Sequence, residues 1–392
     1  MGAGAWVREY AVQVESVAAA AGLETLFVTS DAAAVTFGPT KIGVGGTGSA
    51  AGKFKLLLLN KPDFVSPTAM KESEKASGYA DNTEEDLIST VAQASKFSPE
   101  LEANAYHVSL FMQLLFQSGS SDSGSTILID QFIPYTKIDI QYYGAFMSKV
   151  QKLGGVVDEC QLMRGCLPSS VKLSAEEGGL LKLNADIEGA KWSNTFVGTA
   201  IPAAADALLK KTALKWQNAV VIMDDAYVTA ADPTSGLKTL SDVSTDSTLN
   251  TRFFLQGFDL TIANGLMSKF YNSETIQCFI LGKIKATGNF SIPWVIAGYG
   301  DETLKYYWKH INDFRNNIVK HIKIYWGSVD ATTDNSLVID MYVKYNSGTL
   351  EGDDVLGTNI GFVCVQPSAG TPAIKVLAGH TAAVLDRGLP AT

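Results

Sequence analysis

Charge is scarce in this chain: Asp, Glu, Lys and Arg supply 18% of its 392 residues, against about 25% in ordinary soluble domains. What charge there is leans acidic, with 40 Asp and Glu against 31 Lys and Arg and a formal net charge of −9. That balance excludes a general nucleic-acid binder, whose affinity comes from Lys and Arg neutralising phosphates. Hydrophobic residues reach 46%, yet no run of about 18 uncharged apolar residues occurs, so neither a transmembrane helix nor a membrane partner is expected. Cysteine is sparse as well. Cys160, Cys166, Cys278 and Cys364 lack CxxC spacing, and the four histidines lie far from them in sequence. They read as small buried hydrophobes rather than a zinc site or a disulfide framework. The N-terminal MGAGAWVREYAVQV has no basic stretch ahead of an apolar core, so no secretory leader is expected. Trp6 stands where a myristoylation signal needs Ser or Thr.

Catalytic signatures are missing too. Neither a G-x-S-x-G elbow nor H-E-x-x-H is present. Gly43–Gly48 matches G-x-G-x-x-G, but strand-like Lys53–Leu59 follows it where a dinucleotide site needs a helix. Asp224–Asp225 and Asp353–Asp354 are adjacent carboxylates, which a strand would point to opposite faces. His310 and His321 have no nucleophile near them in sequence. No enzyme, metal or cofactor is expected. A mean hydropathy of +0.10 with so little charge suits a protein that buries much of its surface against copies of itself or partners.

What the sequence does carry is period-two alternation. Val171, Leu173 and Ala175 alternate with Lys172 and Ser174, the turn Glu176, Glu177, Gly178, Gly179 follows, and Leu181, Leu183, Ala185 and Ile187 then alternate with Lys182, Asn184, Asp186 and Glu188. The pattern predicts a hairpin with one apolar and one charged face. Phe258, Leu260 and Ile262 alternate with Asp259 and Thr261 before the turn-forming Asn264 and Gly265, and Ile276–Ile292 predicts one long return strand. Ile318–Trp326, Leu337–Tyr345 and Ile360–Gln366 read as further strands. Apolar residues at helical spacing predict helices near 83–96, 98–118 and 301–317, the second started by Ser98–Pro99 and ended by Gly119. Residues 68–82 lack periodicity and read as loop. Three regions follow: 1–66 of uncertain role, a main β domain over 67–366, and a C-terminal arm over 367–392.

The segments VKLSAEEGGLLKLNADIEGAKW (171–192), ASKFSPELEANAYHVSLFMQLLFQSG (94–119) and FDLTIANGLMSKFYNSETIQCFILGKIKATGNFSIPW (258–294), in that arrangement of helix, hairpin and long return strand, resemble the tail tube proteins of tailed bacteriophages. The resemblance implies a mainly β fold with flanking α-helices, a β-sandwich or partial barrel whose long hairpins complete a barrel in a ring oligomer. It also implies homohexameric rings stacked into a hollow tube for genome delivery, assembled in the host cytoplasm and carried in the virion tail. The partners it implies are further copies of the chain, a tape-measure protein inside the tube, tail terminator and baseplate or tip proteins, and a sheath where the tail is contractile. DNA would pass through without specific binding. Asp186, Glu188 and Asp259 are then candidate lumen-facing acids, or else face solvent on the outer wall. The turns at Glu176–Gly179 and Asn264–Gly265 are candidate ring contacts. Two other readings stay open: another particle component such as capsid protein, and a β-sandwich glycan-binding module using Trp294, Trp308 or Trp326 as stacking platforms.

Overall fold

Alternating apolar and polar residues become, in a pleated strand, one buried and one solvated face, and most of the ordered chain follows that rule. A computed structural model describes residues 7–16, 23, 55–57, 68–73, 88–122, 127–134, 140, 142–151, 158–197, 212–223, 255–271, 273, 275–293, 317–351 and 357–381. Its N-terminal part holds β1 (Val7–Ser16), β2 (Lys55–Leu57), β3 (Thr68–Ser73), β4 (Ile88–Phe97) and β5 (Glu100–Glu102). Helix α1 (Ala105–Phe116) is followed by β6 (Ser120–Asp122), β7 (Ile127–Phe132) and β8 (Tyr142–Gln151). The long hairpin is β9 (Asp158–Glu176) and β10 (Lys182–Val197). After it come β11 (Ala219–Met223), β12 (Gly257–Ala263), β13 (Met267–Lys269), β14 (Cys278–Ile280) and β15 (Lys285–Pro293). The last strands are β16 (Lys320–Trp326), β17 (Ser336–Glu351), β18 (Gly357–Cys364) and β19 (Ile374–Thr381).

Seventeen of these strands join in one sheet, while β13 and β14 pair only with each other. Two long strands are its corners. One edge of β9 pairs with β10, and its other edge takes β8 along its first half and β12 along its second. In the same way β17 pairs with β16 on one edge and with β19, then β18, on the other. Beyond β12 the ladder continues through β15 to β18. Among the described residues these ladders do not close into a barrel within the monomer.

The core lies where the apolar faces converge on α1. All twelve helix residues are buried, as expected of a helix that is apolar on every side. Asn104 caps it by accepting a hydrogen bond from the His107 amide at 3.0 Å. Gln117 ends it in the left-handed region, φ 51°, with its amide donating to the Gln113 carbonyl. Burial pushes the His107 imidazole down to about 4, so the ring is neutral in the core. Trp216, Phe258 and Trp326 form an aromatic cluster with centroids 5.3 to 6.2 Å apart.

Several expectations are corrected. Residues 88–96 of the predicted 83–96 helix fall in β4, because pairing with β3 and β10 outweighs the helical spacing of Val91 and Ala94. The helix predicted over 98–118 begins only at Ala105, since Glu100–Glu102 pairs with β10, and it lies inside the core rather than flanking it. The long return strand breaks into β14 and β15. Thr68–Ser73, read as loop, is a strand, and so is Ile374–Thr381 within the expected arm. Strand β1 of the first region pairs along its full length with β8 and so belongs to the main sheet. The helix predicted at 301–317 lies outside the described residues except for Asn317.

Candidate functional site

The apolar sides of β10, β9, β12, β15 and β18 face the core through Leu183, Leu173, Leu260, Phe290 and Phe362, each almost fully buried. Period two therefore sends the intervening residues to the opposite face of the sheet. Cross-strand register sets them in rows. One row runs Lys182, Ser174, Asp259, Asn289, Gly361, and the next runs Asn184, Lys172, Thr261, Thr287, Val363. The result is a broad face of hydroxyl, amide and charged groups, on which the lysines 172, 182 and 285 alternate with Glu176, Asp186, Glu188 and Asp259. It is mixed in charge rather than uniformly acidic, even though the whole chain carries −9.

Each of the three candidate acids lies on this face and accepts hydrogen bonds from within its own chain. Asp186 accepts from the Ser98 hydroxyl at 3.1 Å and the Ser170 hydroxyl at 2.9 Å. Asp259 accepts from the Asn289 amide at 3.3 Å. Glu188 accepts from the Ser268 hydroxyl. Asp186 is exposed and Asp259 half-buried. Glu188 differs, since the segment carrying Ser268 folds over it.

That segment went unrecognised in the sequence. Between β12 and β15 the chain leaves the sheet, makes the β13–β14 hairpin and returns. Its neck is pinned by the fully buried Asn264, whose side-chain amide donates to the Pro168 carbonyl at 2.9 Å and the Leu115 carbonyl at 3.4 Å. The Asn264 Oδ1 accepts from the Leu266 amide at 3.1 Å, and its carbonyl accepts from the Gly282 amide at 2.8 Å. Gly265, at φ 61°, abuts Gly282 so closely that a Cβ on it would lie 3.3 Å from the Gly282 Cα. The hairpin then seats Ile276, Phe279 and Leu281 on Tyr143, Leu167 and Ala190 as a satellite core. The Gly at each side of the neck was the available signal.

The other predicted turn, Glu176–Gly179, closes β9 onto β10 at the opposite end of the sheet. Gly178 takes φ 72°, and the Gly179 amide donates to the Glu176 carbonyl at 2.9 Å. Glu176, Glu177 and Gly178 are exposed. Trp326 is 1% exposed and donates to the Lys215 carbonyl, which removes it as a sugar platform. His321 is buried against Asp340 at 2.5 Å and stacks on Tyr342, a structural role. Trp294, Trp308, His310, Gly43–Gly48, Asp224–Asp225 and Asp353–Asp354 lie outside the described residues. No cluster of His, Cys, Asp and Glu suited to a metal occurs among the described residues, and no described helix is long and apolar enough to cross a membrane.

A broad polar face on an open antiparallel sheet is a surface for assembly rather than for chemistry. Comparison with family models agrees: residues 16–305 match the phage tail tube protein model. The chain belongs to that family. Comparison with curated proteins returns no match. Membership makes this tail tube protein a structural component of the virion tail, self-assembling with tail partners and not an enzyme.

Proposed function

We propose that the tail tube protein forms hexameric rings that stack into a hollow tube, with the polar sheet face toward the bore. The match of residues 16–305 to the tail tube family, on a chain whose sheet turns one broad polar face outward, supports this reading. Val343 pairs with Lys320 on one side and Cys364 on the other. From Val343 to Glu351, β17 pairs with β18. At the far side of the same sheet, the short β5 pairs with β10. Homo-oligomers favour closed cyclic symmetry, which a ring of identical copies provides. With this face inward Asp186 and Asp259 face the passing genome; with it outward they meet the surrounding solvent.

The wall's interleaved lysines and acids give phosphates no continuous basic track to bind. Screening over about 8–10 Å confines each charge to its own surroundings, so DNA slides through without specific contacts. A tape-measure protein in the bore, terminator and baseplate or tip proteins at the tube ends, and a sheath outside complete the set of partners. Negative-stain imaging of the concentrated full chain tests this. Rings or hollow tubes are expected; a monodisperse monomer that binds immobilised glycans would contradict it.

A further inference from the structure

The two ends of the polar sheet differ in chemistry. Strand β12 has seven residues, so its ends lie about 20 Å apart at the rise of a β-strand. Gly257, at one end, pairs with Glu176, and Ala263, at the other, pairs with Ser170. The Glu176–Gly179 turn therefore stands at one end of the sheet, and the 264–282 excursion at the other.

The excursion exposes apolar side chains beside polar Thr275 and Gln277. Met267, Tyr271 and Ile280 are the exposed large hydrophobics among the described residues, at 48%, 72% and 37%. Met267 and Ile280 are direct cross-strand partners on β13 and β14 and make one patch. Lys283 and Lys285 beside it are exposed, and Lys269 is half-buried. The acids at this end, Asp186 and Glu188, are engaged by hydroxyls of the same chain. At the turn end Glu176 and Glu177 are exposed. Lys182 and Lys215 are also exposed at this end, Lys182 opposite Glu102 across the β10–β5 ladder, so the tip of the turn is acidic while its flanks are mixed.

We infer that the 264–282 hairpin is a docking face for a second copy of this chain in the adjacent ring, and that the Glu176–Gly179 turn of that copy seats on it. The inference rests on the tube reading. Charge complementarity supports it: the exposed Met267–Ile280 patch with Lys283 and Lys285 near it in the chain meets the acidic tip Glu176–Glu177 of the turn. Two unlike ends that fit each other form a head-to-tail contact, which does not close and so propagates as a filament. An isologous contact would stop at a pair of rings.

A charge swap on the full chain tests it. E176K/E177K and K283E/K285E each place like charges across the contact, and the combined variant restores opposite signs. All substituted side chains are exposed, so thermal melting curves should overlay that of the unaltered chain. Negative stain is expected to show tubes for the unaltered chain, rings with at least tenfold fewer tubes for each single-end variant, and tubes again for the combination. Tubes of unchanged abundance in both single-end variants, or no restoration in the combination, overturn the inference and leave the tube reading standing. Absence of rings and tubes from the unaltered chain overturns the tube reading and this inference with it.

Discussion

Asn264 offers the sharpest energetic prediction. Its side chain is fully buried and makes three hydrogen bonds, two of ordinary length at 2.9 and 3.1 Å and one long at 3.4 Å. Asn264→Ala leaves the Pro168 carbonyl and the Leu266 amide without those partners. At about 1–3 kcal/mol for each of the two groups stranded, and with the long bond counted as marginal, the loss is about 2–6 kcal/mol. Asn264→Asp keeps the shape and the acceptor but replaces the donating amide with a carboxylate oxygen aimed at two carbonyls. It should cost more than the alanine change at neutral pH. The sign with pH follows from burial: the introduced carboxyl has its folded pKa raised above its unfolded value of about 4, so the charged form is penalised only in the folded state. Its excess penalty over Asn264→Ala is therefore largest near neutral pH and shrinks as pH falls toward 4. Urea unfolding of the subunit at pH 7 and pH 5 measures both variants. An Asn264→Asp protein within 0.5 kcal/mol of the unaltered chain at pH 7 would refute the account of the neck.

Three further outcomes are expected. His107 has its folded pKa lowered to about 4 from 6.5, so its contribution is complete above 6.5 and is lost as pH falls toward 4. That is about 3 kcal/mol, and His107→Phe should flatten this part of the stability–pH curve; an unchanged slope would contradict the burial argument. Trp326→Ala opens the cluster with Trp216 and Phe258 and should cost about 3–5 kcal/mol by denaturant melt, whereas a cost below 1 would place Trp326 outside the core. Tubes of Asp186→Lys/Asp259→Lys chains should retain short DNA duplexes at low salt and release them as salt rises. Retention no greater than that of unaltered tubes would remove these positions from the bore.

The sheet was legible wherever one face is buried and the other polar. The β9–β10 hairpin and β12 follow the alternation of Leu173, Leu183 and Leu260, because a one-residue slip would expose that whole set. The helices were harder to place. α1 is apolar on all sides, so periodicity could not mark its start, and Ser98–Pro99 competed with the true cap, Asn104. At β4 the spacing of Val91 and Ala94 suited a helix, and only partners distant in sequence decided for a strand. The break in the long return strand rests on Gly282 meeting Gly265, a contact that alternation does not encode. Likewise Ile374–Thr381 is short and set among Pro, Gly and Ala; insertion between β17 and β7 makes it a strand.

A cryo-EM reconstruction of the assembled tube tests the central claim most directly. Asp186 and Asp259 are expected on the wall of the bore of hexameric rings. The same two carboxylates on the outer surface of the tube would contradict it.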